Sequence, residues 1–281
     1  MGYRTDLAME AYSLWKQDAG NTTKLPGVRA REEEADGVHI TRVEILDRHG
    51  EQALGKPRGS YVTLELRDLV RREPESFARA AQAVAKEAAA FLKAPGRVIA
   101  AGLGNEAVTP DALGPRAVEQ MIITRHLKKQ LPEAFSGFCS VAAVRPGVLA
   151  TSGMESLELV RAAAGCVEAD TVIVIDALAA ASAQRICTTV QLSDAGLAPG
   201  SGIGNRRSAF TQKSLGRKVL TVGVPTLMDA GEMPEGAVRG LIVTPGDIDA
   251  RVREMARVVG FGLNLALHPG LTIADVESFL A

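Results

Sequence analysis

Thr171-Val172-Ile173-Val174-Ile175-Asp176 carries five β-branched residues in succession and ends on a carboxylate. Such residues fit a pleated surface, and a run of them without polar alternation marks a strand covered on both faces, as at the centre of a parallel sheet. An aspartate at the end of that run needs a partner or a proton. The apolar run 97–102 has the same grammar and leads to Thr109-Pro110-Asp111-Ala112-Leu113-Gly114, so that Asp111 and Asp176 both open the tripeptide Asp-Ala-Leu. In open α/β sheets ligands bind beyond the carboxyl ends of strands, and an aspartate delivered there by each of two strands points to one shared site. Two acids close enough to share a proton can perform acid and base chemistry without histidine, metal or thiol.

Outward from these runs the hydrophobic period changes in a regular order. Residues 38–46 and 61–66 alternate and predict two antiparallel strands, with loop chemistry in Asp47-Arg48-His49-Gly50 and Gly55-Lys56-Pro57-Arg58-Gly59 between them. Strands are expected over 97–102, 140–144, 171–176, 187–192 and 218–222. Helices are expected over 74–92, 115–129, 155–164, 179–185, 248–267 and 273–280. This alternation predicts an α/β fold: a three-layer, mostly parallel central sheet with helices on both faces, plus an N-terminal antiparallel strand pair. Residues 1–37 are polar, contain Glu32-Glu33-Glu34 and show only a short helical pattern near 7–15, which reads as an arm lying on the body. With no repeat and no linker, the expected organisation is a single domain, 7–281, with an N-terminal extension over 7–37.

At 281 residues, 46% hydrophobic and 23% charged, the composition is that of a globular protein. A net charge of −1 gives no basic field for direct nucleic-acid binding. Cys139, Cys166 and Cys187 form no C-x-x-C pair and no metal spacing, which is consistent with a reducing compartment such as the cytoplasm. The N-terminus lacks an apolar signal core, and no apolar stretch reaches the ~20 residues of a membrane span.

Each candidate feature has a plainer reading beside it. Gly102-Leu103-Gly104-Asn105-Glu106-Ala107 satisfies the G-x-G-x-x-A dinucleotide fingerprint, but Thr109-Pro110 and Gly114-Pro115 delay the helix that fingerprint requires, which favours a tight loop leading to Asp111. Asp111 alone reads equally well as a helix cap, and Asp176 as the ion-pair partner of Arg185. Gly200-Ser201-Gly202-Ile203-Gly204-Asn205-Arg206-Arg207 reads as a loop at the rim of a cleft, whose Gly202 and Gly204 let backbone approach an extended peptide. His39, His49, His126 and His268 are too scattered to form a local metal set, and no nucleophile elbow is present.

Taken in order, Tyr3-Arg4-Thr5-Asp6-Leu7-Ala8, Gly102-Leu103-Gly104-Asn105, Val108 to Pro115, Thr124-Arg125-His126, Pro146-Gly147-Val148, Ile175 to Ala180, Pro199 to Asn205 and Gly223-Val224-Pro225-Thr226 resemble the germination proteases of spore-forming bacteria. The resemblance implies an endopeptidase that degrades the small acid-soluble spore proteins, located in the cytoplasm of the forespore and spore core. It implies an inactive zymogen that removes a pro-segment, here 1–6, by cutting itself at Asp6-Leu7, and a homotetramer. It implies a fold similar to the hydrogenase-maturation peptidases, and Asp111 and Asp176 as the catalytic pair of an atypical aspartic peptidase with no cofactor and no metal. An acidic residue before the cut points to a cationic subsite, for which Arg206 and Arg207 are the candidates. Two other readings stay open: a metal-assisted peptidase in which both aspartates and His126 or a water are ligands, and a peptide- or nucleotide-binding module without activity.

Overall fold

The protein is described from a computed structural model covering residues 5–19, 25–70, 73–204, 207–232, 238 and 240–281. Its elements are α1 (Ala8–Asp18), β1 (Val28–Ala35), β2 (Val38–Ile45), α2 (Arg48–Leu54), β3 (Gly59–Glu65), α3 (Arg67–Val70), α4 (Ser76–Leu92), β4 (Arg97–Leu103), α5 (Leu113–Glu119), α6 (Arg125–Gln130), β5 (Ser140–Gly147), α7 (Leu149–Ser152), α8 (Ser156–Cys166), β6 (Thr171–Ala180), β7 (Thr189–Ser193), α9 (Gln212–Leu215), β8 (Lys218–Asp229), β9 (Ile242–Val243), α10 (Ile248–Leu267) and α11 (Ile273–Leu280).

Among the described residues the strands form one sheet in the order β1-β2-β3-β7-β8-β6-β4-β5, with β9 added at the far end of β8. β8, β6, β4 and β5 run parallel, while β1, β2, β3, β7 and β8 pair antiparallel in turn. The run at 171–175 is the buried centre the sequence predicts: Val172, Ile173, Val174 and Ile175 have no exposed surface. Successive residues of a strand face opposite sides. Ile173 and Ile175 pack with α4, α5 and α10, and Val172 and Val174 pack with α8, Phe210 and Leu215. Asp176 falls on the second side, beyond Val174, where α8, the 197–216 segment and the N-terminal segment lie.

The antiparallel part is larger than a strand pair. β1 occupies residues expected to be an arm, and it joins β2 through Asp36 and Gly37, whose φ values of 52° and 75° are those of a two-residue hairpin turn. Its charged residues suit an exposed sheet edge. The expected loop at 47–50 is instead the start of α2, capped by Asp47 Oδ1, which accepts the N–H of His49 and Gly50. The helix expected over 115–129 is two helices. Thr124 separates them, its hydroxyl donating to Cys139 O and accepting the Val141 N–H, so that a side chain substitutes for the helix ladder. No helix forms over 179–185, because β6 continues to Ala180 alongside β8 and only Ala183–Arg185 make a 3-10 turn.

Candidate active site

Asp176 sits midway along β6, at the point where that strand outruns its neighbour. The last β4 partner is Gly102, opposite Ile175, whereas β8 continues beside β6 from Gly223, opposite Asp176, to Met228. Since β5 and β6 lie on opposite sides of β4, the gap between β4 and β6 is the switch point of the parallel strands, where open sheets bind ligands. Three glycines fold the chain after β4 back over this gap. A Cβ on Gly102 would lie 2.3 Å from Gly114 O, one on Gly104 1.9 Å from Asp111 O, and one on Gly114 2.5 Å from Ile175 O. The tight loop predicted from Gly102-Leu103-Gly104 is therefore present, and it delivers Asp111 on the turn Thr109–Asp111.

A cleft of about 380 Å³ lies over the gap, lined by Asp6, Asp111, Asp176, Leu178, Gly200 and Arg207 among others. Asp176 is 4% exposed, and its Oδ1 accepts the N–H of Ala177. Burial holds its carboxyl well above the ordinary carboxylate range, and the charges of Asp111 and Asp6 push in the same direction. Burial also raises Asp111, against a 2.8 Å hydrogen bond from the Asn105 N–H that favours its charged form. The plainer readings of both residues fail. Ala112, not Asp111, is the N-cap residue of α5, which has no side-chain cap, and Arg185 pairs with Glu65 at 2.6 Å.

Asp6 also lines the cleft and is 9% exposed. Its N–H donates to Ala179 O at 2.8 Å, its Oδ2 accepts the Ala179 N–H at 2.9 Å, and its Oδ1 accepts the Ser201 hydroxyl at 2.6 Å. Gly202 closes over it: a Cβ there would lie 2.4 Å from Asp6 Oδ2. The glycine-rich segment meets Asp6 through its backbone and a serine. Among the described residues the hydrogen bonds to the Asp6 carboxylate come from a main-chain N–H and a hydroxyl. Arg207 is exposed and lines the cleft, Arg206 lies outside the described residues, and Gly204 is exposed with φ 80°.

Leu7 has no exposed surface and packs with Met9, Leu178 and Ala180. Full burial of a leucine contributes about 1.5–3 kcal/mol, which anchors the chain just after Asp6. Glu10 fixes the start of α1, accepting the N–H groups of Ala181 and Ser182 and the Thr5 hydroxyl. Sequence reading missed Gln191, a 7% exposed residue of β7 whose Nε2 donates to Asp6 O at 3.2 Å and whose Oε1 accepts the Ala8 N–H at 2.8 Å. Its signal lay in Val190-Gln191-Leu192, where an amide alternates with two core residues. His126 is exposed on α6 and is not among the residues lining the cleft. Among the described residues no three His, Cys, Asp or Glu side chains are grouped to hold a metal ion.

Fold and site together define an α/β protein with carboxylates gathered at the switch point of its parallel strands. A family model described as germination protease matches residues 6–239. The germination protease of Caldanaerobacter subterraneus subsp. tengcongensis is 40% identical, with 100% of this chain and 98% of the relative covered, and that of Clostridium tetani is 32% identical with 100% of both covered. Among solved structures, the [NiFe] hydrogenase maturation protease HycI from Thermococcus kodakarensis KOD1 aligns over 62% of this chain and 97% of its own, with TM-score 0.38 and 16% identity. The chain belongs to the germination protease family and is a protease. Among its described residues no helix is long and apolar enough to cross a membrane.

Proposed function

We propose that this protease is an endopeptidase of spore germination that acts on small acid-soluble spore proteins, is made as a zymogen, and cuts itself between Asp6 and Leu7 by water activated at Asp111 and Asp176. The observation that carries the proposal is the meeting of Asp6, Asp111 and Asp176 in one cleft, where the first is the residue preceding the bond, burial raises the proton affinity of both others, and the charge of Asp111 raises that of Asp176 further. Residues 1–6 are then the pro-segment and 7–281 the mature domain, which acts as a homotetramer in the cytoplasm of the forespore and spore core.

The environments divide the roles within the pair. Asp176, buried and facing two acids, keeps the shared proton, while Asp111, with the Asn105 N–H on its Oδ2, is the ionised partner. Asp111 takes a proton from water as the water oxygen bonds to the carbonyl carbon before the cut. Asp176 gives its proton as the C–N bond breaks, and the proton held by Asp111 restores the pair. The products are a carboxylate and an amine. The main-chain N–H and the hydroxyl that bind the Asp6 carboxylate support a preference for cutting after an acidic residue.

The test is digestion of a purified small acid-soluble spore protein by processed enzyme, with fragment termini read by mass spectrometry. Cuts following Asp or Glu, and loss of at least about 10³-fold in rate in Asp111→Asn, are expected from removal of a catalytic acid or base. An intact substrate, or equal rates in both enzymes, would contradict the proposal.

A further inference from the structure

Gln191 spans the Asp6-Leu7 bond with the two ends of one amide. Its Oε1 accepts the N–H of Ala8, which fixes the orientation of the group and turns Nε2, a donor only, toward Asp6 O. The residue is placed by the sheet itself. Gln191 pairs with Gly223 across β7 and β8, and Gly223 pairs with Asp176 across β8 and β6, so Gln191 and Asp176 stand in one row on one face, with a residue lacking a side chain between them. Leu178 fills that space on the same face, since a Cβ on Gly223 would lie 2.4 Å from its Cδ1, and the same leucine packs on Leu7. The carbonyl that precedes the bond thus has a buried amide donor at its oxygen, on a strand two places from the one that carries Asp176.

We infer that Gln191 is a catalytic residue of the proteolytic step: its Nε2–H holds the carbonyl oxygen of the cleaved bond, where negative charge develops as water adds, while its Oε1 sets the register by binding the N–H of the second residue after the cut. The inference rests on the reading of Asp6-Leu7 as the processed bond and adds a group that reading does not contain. A preorganised donor of this kind supplies about 10²- to 10³-fold in rate. The bond changes are those of ordinary hydrolysis, in which the oxygen held by Gln191 is first the carbonyl oxygen, then the oxyanion, and finally one oxygen of the new Asp6 carboxylate.

The experiment measures the first-order rate of loss of residues 1–6 by intact mass in the full chain, for the parent, Gln191→Ala, Gln191→Glu and Asp111→Asn, with thermal unfolding of each. Gln191→Ala is expected to slow cutting about 10²-fold or more while its melting temperature stays near that of the parent. Gln191→Glu keeps the acceptor but donates only when protonated, so its rate relative to the parent is expected to climb as pH falls, while that of Gln191→Ala stays flat. Cutting of the parent and not of Asp111→Asn, with Gln191→Ala at the parent rate, would overturn this inference and leave the proposed function standing. Parallel pH ratios for the two Gln191 variants would also overturn it, because a merely structural role is blind to the proton. A parent that is never cut at Asp6-Leu7 would remove the proposed function, and this inference with it.

Discussion

Asp176 meets two other acids and the interior of the sheet, and its proton affinity follows from that company. Two charges beside it, at Asp111 and Asp6, add to burial in holding the proton on. The rate of processing is therefore expected to be bell-shaped in pH, with the acid limb set by protonation of Asp111 and the alkaline limb by ionisation of Asp176. Asp6→Asn removes one charge that favours the protonated form, so the alkaline limb should move to lower pH. An alkaline limb that stays in place when processing is timed from pH 4 to 9 would show that Asp6 does not act on Asp176. The two aspartates stood out in the sequence because Asp176 ends an apolar run that offers a carboxylate no solvent, and Asp111 opens the same Asp-Ala-Leu tripeptide in the loop after a second such run. Gln191 and Ser201 were not, since a glutamine in a strand and a serine in a glycine-rich segment gain their meaning from Asp6, nearly two hundred residues away, whose position is a product of the fold.

α10 lies against α4 at a separation that Gly262 permits, and against the end of α5 at one that Gly260 permits. A Cβ on Gly262 would lie 2.6 Å from the Cβ of Val84 and 2.9 Å from Ala81 O, and one on Gly260 would lie 2.4 Å from the Cβ of Gln120. Alanine is favoured over glycine in an isolated helix by about 1 kcal/mol, yet here the added methyl must push two packed helices apart, an overpacking cost of about 1–3 kcal/mol. Gly262→Ala should therefore lower the urea midpoint, and a raised midpoint would show that the contact yields freely. Long helices with a full apolar stripe, α4 and α10, were read from spacing to within two residues. The elements that escaped were decided by one or two residues each: Asp47 capping α2, Thr124 parting α5 from α6, and the Asp36-Gly37 turn, whose hairpin signal lay beside an acidic run that reads as unstructured.

At the scale of the whole molecule, β8 joins two kinds of sheet, parallel to β6 on one side and antiparallel to β7 on the other. The parallel strands bring Asp111 and Asp176 together at their switch point, and β7 brings Gln191 to the opposite side of the Asp6-Leu7 segment. The parallel half could be anticipated from strands alternating with helices, whereas strand order could not, because β3 and β7 pair across more than a hundred residues with nothing in either sequence to name its partner. The central claim is that the carboxylate pair cuts the segment lying in its own cleft. Its most direct test is the intact mass of the purified chain before and after incubation at mildly acidic pH, in parallel with Asp111→Asn and Asp176→Asn. The account predicts loss of residues 1–6 from the parent and from neither variant; equal loss from all three, or from none, would contradict it.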